Sequence, residues 1–466
     1  YIRITVSRLG ILFLLLTFAH CFAHGGLQIA LLRSDVNLRS LLMHITSAAD
    51  VPSAQIPWLD HLGHGQYDLK LCTRIPLRGI NTTNSCTSLF HTGGFSNAAA
   101  YDIDSVDTIY DDGSRMVLLS GTCSRTMLWA QNLVGSFGEE DVALLSAQFW
   151  LLLISSVAVS YRSIPQIVAV LCVRLIATMW SAYSIWRAMH YKVLFQLLYM
   201  GPGAPCQLDF FTSFFTIRTS LAIPSLILNI TALAFEGYMG RKLIKAFDAL
   251  IFHRVAPPGA VLKIYRYFLA IFVLLQLDVF FLLSMIGLWI SWLINGLGDL
   301  TVNKTLYEAL FITTMITLLP WLATGWFAVR REMKTLMAVF IFMSFVFLAL
   351  LATMFRTDVF AWTFLQWPFF ACLTCISFIL LFATGLFGII CRLNFGKGLA
   401  QYLHVEAVLA EANFAPELFE NDTRQLKISD EKSMHRPSTA LPTEKYDKRG
   451  LPDDDASPVI VIERLA

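Results

Sequence analysis

The chain has 466 residues, of which 56% are hydrophobic, 13% aromatic and only 15% charged, and its mean hydropathy is +0.61. Those proportions exclude a water-soluble globule and make lipid the main solvent of the chain. The formal charge of +2 is too small to draw in nucleic acid or another strongly charged partner, so the electrostatic information lies in where the charges fall.

Residues 1–24 read as a secretory signal: basic Arg3 and Arg8, an apolar run from Leu9 to Phe22, then small Ala23 before His24. The run is shorter than the roughly 20 apolar residues that a span needs. The other reading of the same run is an uncleaved first span.

Residues 25–141 are polar enough to form a small mixed or mainly β domain on the extracellular or luminal side. Short apolar runs such as Asp68–Cys72 and Arg115–Ser120 are bounded there by turn formers like Asp111-Asp112-Gly113. The domain holds Cys72, Cys86 and Cys123, and the outside loop after the second span adds Cys206. Four cysteines in an oxidising compartment favour disulfides over free thiols and allow three pairings. The favoured one joins Cys72 to Cys86 as a local loop and Cys123 to Cys206 as a clamp between domain and bundle. Asn81 and Asn303 open glycosylation acceptor triplets on the outside, whereas Asn229 and Asn421 match the pattern where no glycan can be added. His61 and His64 lack neighbouring ligands at metal-site spacing and read as surface histidines.

Seven apolar stretches of spanning length follow, near 142–161, 167–186, 210–235, 267–293, 306–329, 335–355 and 367–390. The expected fold is a mainly α membrane protein, a seven-transmembrane helix bundle with the N-terminal domain outside and the C-terminus cytosolic. Basic residues agree with this orientation. The inside connections carry Arg162, Arg241, Lys242, Lys245, Arg254, Lys263, Arg266, Arg330, Arg331, Lys334, Arg392 and Lys397, and the outside ones only Arg187, Lys192, Lys304 and Arg356. Trp150, Trp186, Trp292, Trp362 and Trp367 lie near span ends, where indole prefers the interface.

Arg174, Arg218 and Asp278 fall inside spans, where each charge is penalised by roughly 2.5–3.5 kcal/mol on insertion scales. At about 1.5 Å per residue from the cytosolic ends, Arg174 lies near ~10 Å, Asp278 near ~16 Å and Arg218 near ~24 Å. Both arginines are therefore expected to pair with Asp278, with Glu308 joining from above. Such an intramembrane polar centre serves either a ligand, an ion or a switch, or simply the packing of the spans. Pro224 and Pro320 are expected to bend their helices.

Cys391 through Tyr402 reads as a juxtamembrane amphipathic helix over 391–405, with Arg392 and Lys397 facing anionic lipid and Cys391 as an acylation candidate. Residues 406–466, rich in charge, Pro, Ser and Thr, read as a mostly disordered cytosolic tail.

None of the histidines lies in an expected span, which disfavours seven-span zinc hydrolases and His-Glu-x-x-His proteases. The seventh span has no Lys for a retinal Schiff base, the third ends in Phe235-Glu236-Gly237-Tyr238 without Asp-Arg-Tyr, and the seventh lacks Asn-Pro-x-x-Tyr. Gly296-Leu297-Gly298-Asp299 matches the Gly-x-Gly-Asp of intramembrane aspartyl proteases, but no second carboxylate in Tyr-Asp context accompanies it, and a Gly-rich turn is the better reading. No catalytic residues, cofactor or metal are expected.

Three motifs, Gln148-Phe149-Trp150-Leu151-Leu152, Pro320-Trp321-Leu322-Ala323 with Arg330-Arg331-Glu332, and Cys391-Arg392-Leu393-Asn394-Phe395-Gly396-Lys397-Gly398-Leu399, resemble an uncharacterised, paralogue-rich family of multi-span membrane proteins of mushroom-forming fungi. The resemblance runs from about Tyr101 to the early tail and implies a shared architecture without an activity. More loosely, the layout resembles secretory-pathway proteins with a Golgi-dynamics-like domain and fungal surface receptors.

The function expected is that of a receptor-like or sensor-like protein whose outside domain is coupled to the bundle, in the plasma membrane or secretory pathway. The alternative is a transporter or trafficking factor for a lipid or hydrophobic cargo. The partners implied are the bilayer, an extracellular ligand or cargo, and a cytosolic protein at 236–266 and the tail, with no nucleic acid.

Overall fold

The computed structural model describes residues 2–49, 51, 55–63, 65–75, 86–92, 108–111, 116–201, 204–206, 209, 211–254, 259–294 and 304–397. Along the chain run α1 (Ile2–Ala48), β1 (Ile56–Gly63), β2 (Gln66–Cys72), β3 (Cys86–His91), β4 (Thr108–Asp111), β5 (Met116–Leu119), α2 (Gly121–Ser160), α3 (Ile164–Phe195), α4 (Thr212–Arg254), α5 (Gly259–Ile294), α6 (Lys304–Arg330), α7 (Lys334–Met354), α8 (Asp358–Gln366) and α9 (Pro368–Leu393). The chain is mostly helical, and among the described residues eight helices are long and apolar enough to cross a membrane. An integral membrane protein follows from them.

The eighth is α1. It runs without interruption through the expected cleavage point after residue 24 and for another two dozen residues. Phe13, Thr17, His20, His24, Leu31 and Asp35 are buried against the neighbouring helices, so the segment expected to be a signal is a member of the bundle. At 47 residues the helix is about 70 Å long, more than twice the hydrocarbon thickness of a bilayer. Its partner α2 starts at Gly121, about six turns before the span expected from residue 142, capped by Ser120, whose side chain accepts from the Cys123 amide. The two helices are antiparallel. A Cβ on Gly10 would lie 3.1 Å from Val159 Cγ1, and one on Gly25 would lie 3.6 Å from Leu145 Cδ1.

The domain expected over 25–141 is therefore confined, among the described residues, to what lies between α1 and α2. It is β-structured: β1, β2 and β3 form an antiparallel sheet in chain order, and β4 pairs antiparallel with β5. Cys72 and Cys86 are register partners in β2 and β3 and are disulfide-bonded. Cys123 is bonded to Cys206. Because Cys123 is on α2, this second bridge joins the start of α2 to the connection between α3 and α4, not the β domain to the bundle.

The remaining long helices match the expected spans in number and order, and α2, α3, α4 and α5 overrun theirs by more than a turn. The connection expected over 236–266 consists largely of the extended ends of α4 and α5. Pro224 and Pro320 both lie inside helices, in α4 and α6. Aromatic packing dominates the second half: Trp321 of α6 stacks on Phe340 of α7 at 5.2 Å, and Trp289 of α5 packs on Phe360 and Phe370. Gly325 makes the α6–α7 approach feasible, since a Cβ there would fall 2.6 Å from the Phe340 ring.

Candidate functional site

Among the described residues, the buried charged side chains other than Asp68 and Asp278 gather in one seam between α1, α2, α3 and α4, with polar neighbours. On α1 the seam residues are Thr17, His20, His24, Gln28 and Asp35, at steps of three, four, four and seven residues, which place them on one helical face.

At one level of the seam four helices converge on Arg174. Its Nε and Nη2 donate to both carboxylate oxygens of Glu236 at 3.0 and 2.9 Å, and its Nη1 reaches Gln148 Oε1 at 3.1 Å and His20 Nδ1 at 3.0 Å. Arginine only donates, so His20 Nδ1 accepts and the ring proton sits on Nε2. Thr17 Oγ1 adds a weak contact to Glu236 at 3.4 Å. Arg174 and Glu236 are 0% exposed, and the bidentate geometry is the one in which a buried pair best offsets its desolvation.

One turn along α1, the His24 ring stacks on that of His20 at 5.2 Å. His24 Nε2 meets Ser225 Oγ at 2.9 Å and Asn229 Nδ2 at 3.0 Å, and the Asn229 amide also donates to Ser181 Oγ at 2.8 Å. Asn229 is thus a buried bundle residue, as its place in a span implied.

Further on lie two more ion pairs. Arg218 holds Asp35 through contacts of 2.5 and 2.6 Å and reaches Asp141 at 3.4 Å. Arg187 grips Glu140 through both carboxylate oxygens, and Trp367 Nε1 donates to the same Glu140 at 2.8 Å. The Phe137 ring is flanked by the two guanidiniums, Arg187 at 4.7 Å and Arg218 at 4.4 Å.

The expected pairing of Arg174 and Arg218 with Asp278 does not occur. Asp278 lies on α5 and accepts from Thr384 of α9, with its Oδ1 unpartnered among the described residues. Depth along a span, the basis of that expectation, says nothing of the direction in which a side chain faces. Arg187, expected in an outside loop, is buried in α3. Cys391, the acylation candidate, is a buried residue of α9, which ends at Leu393, so no separate helix begins there. The Glu308 side chain, Asn81, Asn303, His64, Gly296–Asp299 and residues 398–466 lie outside the described residues. His20 and His24 do lie in a long helix, but among the described residues no group of three His, Cys, Asp or Glu is arranged to hold a metal ion.

Beside the β domain a cup of about 50 Å³ is lined by Pro57 of β1, Trp129 and Asn132 of α2, Trp292 of α5, Trp362 and Gln366 of α8, and Trp367. Trp292 and Trp367 pack at 5.0 Å. Among the described residues the indole N–H groups of Trp292 and Trp362 have no hydrogen-bond partner. Next to the cup the sheet carries its own charge cluster, with Lys70 bridging Asp60 at 2.8 Å and Asp68 at 3.4 Å. Partial burial pulls the Lys70 ammonium down, and the two carboxylates outweigh this to leave its pKa above the ordinary lysine value.

Compared with known proteins, the chain matches no family model, no curated protein and no solved structure.

Proposed function

We propose that the protein is a receptor-like or sensor-like membrane protein, with the aromatic cup as its ligand-facing element and the polar seam as the part that responds. The observation that carries this reading is Trp367: it forms a wall of the cup and at the same time donates to Glu140, which holds Arg187 inside the bundle. A ligand that displaces this indole removes a donor from a buried carboxylate and so alters the packing of α2 against α3. The cup walls are indoles and amides rather than charges, which suits a small neutral group bearing a hydrogen-bond acceptor.

The same reading places the β domain outside and both the leading end of α1 and the trailing end of α9 in the cytosol, since eight crossings return the chain to its starting face. The basic turns support that side. Arg162, Arg330, Arg331 and Arg392 cluster at the bundle end opposite the β domain, and Arg8 of α1 belongs to the same end.

Cysteine accessibility tests the arrangement. A cysteine at Asn132, which lines the cup and is only partly buried, is expected to react in intact cells with a membrane-impermeant thiol reagent, and one at Ser225 in the seam to stay unreactive from both sides. Protection of the Asn132 position in intact cells contradicts the outward cup. Reactivity of the Ser225 position alternately from either face favours the transporter reading instead.

A further inference from the structure

The carboxylates around Arg218 outnumber the cations that meet them. Asp35 and Asp141 share the single Arg218, and the adjacent Glu140 is taken up by Arg187. Three carboxylates against two guanidiniums leave one negative charge over, in side chains that are 1%, 3% and 1% exposed for Asp35, Asp141 and Glu140. Among the described residues, no other neighbouring group forms an ion pair with these carboxylates. Arg39 of α1 lies against Gly135 and forms no ion pair among the described residues. His24 is engaged by Ser225 and Asn229, Tyr183 packs beside Arg187, and Glu139 faces away to accept from Ser291.

A second observation lies in the same place. A polar cavity of about 20 Å³ is lined by Gln28, Asp141, Arg187, Arg218 and Ser225, room for about one water. Gln28 is 3% exposed, and among the described residues its Oε1 accepts from nothing. A buried amide oxygen in this position lacks a donor.

We propose that Asp35 and Asp141 form a site that binds one proton: Asp35 keeps Arg218, and the protonated Asp141 donates to the Gln28 carbonyl, directly or through one water. A bound proton removes the surplus charge and supplies the donor that Gln28 lacks. A metal cation of the same charge would have to sit beside two guanidiniums that line the same space. Release breaks the O–H bond of the carboxylic acid, passes the proton to water and leaves two carboxylates competing for one guanidinium, so α1, α2 and α4 are coupled to proton occupancy. The site stands independently of the cup.

Infrared spectra of the full chain in nanodiscs near neutral pH test the site. The protonated-carboxyl band is expected to lose the same intensity in Asp35→Asn and in Asp141→Asn, while both variants keep the wild-type unfolding temperature because Asn reproduces the neutral partner. The double variant Asp35→Asn/Asp141→Asn strands Arg218 and is expected to unfold at a clearly lower temperature. If Asp35→Asn fails to fold, Asp141→Asn together with Gln28→Leu decides the matter, the first losing the band and the second shifting it. An unchanged band in the folded variants overturns the site. So does a stabilisation by sodium chloride, relative to choline chloride at equal strength, that Asp141→Asn abolishes.

Discussion

Glu236→Ala is expected to destabilise the bundle by about 3–5 kcal/mol, because it strands the Arg174 guanidinium in a dry interior with only His20 and Gln148 as acceptors. The double variant Arg174→Met/Glu236→Met is expected to recover most of that loss, since the same space is then filled by apolar side chains and no charge remains uncompensated. Unfolding of the four proteins in detergent, run as a double-mutant cycle, checks both statements. Additive losses would mean that the two residues do not share the geometry described, in which one carboxylate receives two donors of one guanidinium.

Why Glu236 escapes a reading of the sequence is instructive. Hydropathy ends the third expected span at residue 235, one position before it, so Glu236 reads as part of a cytosolic connection. The helix in fact continues to Arg254, and Glu236 is interior because Arg174 of α3 meets it. The same blindness hid α1. The apolar run from Leu9 to Phe22 is short, and the residues after it, His24, Gln28, Arg33, Asp35 and Arg39, look like the start of a soluble domain. Three of these are the buried stripe itself. The available signal was their spacing: Thr17, His20, His24, Gln28 and Asp35 fall on one helical face, a pattern of buried polar contacts rather than of a solvated loop. Glu139, Glu140 and Asp141 likewise broke the hydropathy of α2, although Glu140 and Asp141 are paired inside.

What was legible followed from continuous apolar stretches and from compartment. The span expected at 335–355 is α7, Lys334–Met354, to within a residue. Both disulfides carry the favoured pairing: Cys72 and Cys86 are register partners in β2 and β3, and Cys123 in the first turn of α2 meets Cys206, while Cys21, Cys172, Cys372, Cys375 and Cys391 are free thiols in long helices. Partner choice among the charges was not legible, since it depends on helix rotation and on α1, which the favoured reading took for a cleaved signal rather than an uncleaved span.

Loss of the Cys123–Cys206 bridge is the second large effect. It closes a separation of 83 residues, worth about 4.5 kcal/mol by chain entropy, with about 2–5 kcal/mol the usual range on removal. Cys123→Ala/Cys206→Ala is expected to lower the unfolding midpoint of the helices by that amount. The Cys72–Cys86 bridge closes only 14 residues within β2 and β3, so Cys72→Ala/Cys86→Ala is expected to loosen the sheet while leaving the helical transition close to wild type. Circular dichroism follows the helices, and protease sensitivity of the 55–92 region follows the sheet. Equal effects of the two pairs on the helical midpoint would contradict the placement of Cys123 on α2.

The most direct test concerns the seat of α1 in the bundle, on which the seam, the proton site and the sidedness all depend. A chain carrying Gly10→Cys and Val159→Cys, with the other free cysteines replaced and a protease site inserted within 93–107, should cross-link on mild oxidation. After cleavage its leading fragment should then stay attached to the rest until a reductant is added. A mature protein in which the leading fragment is missing, or in which it separates without reductant, would contradict the account.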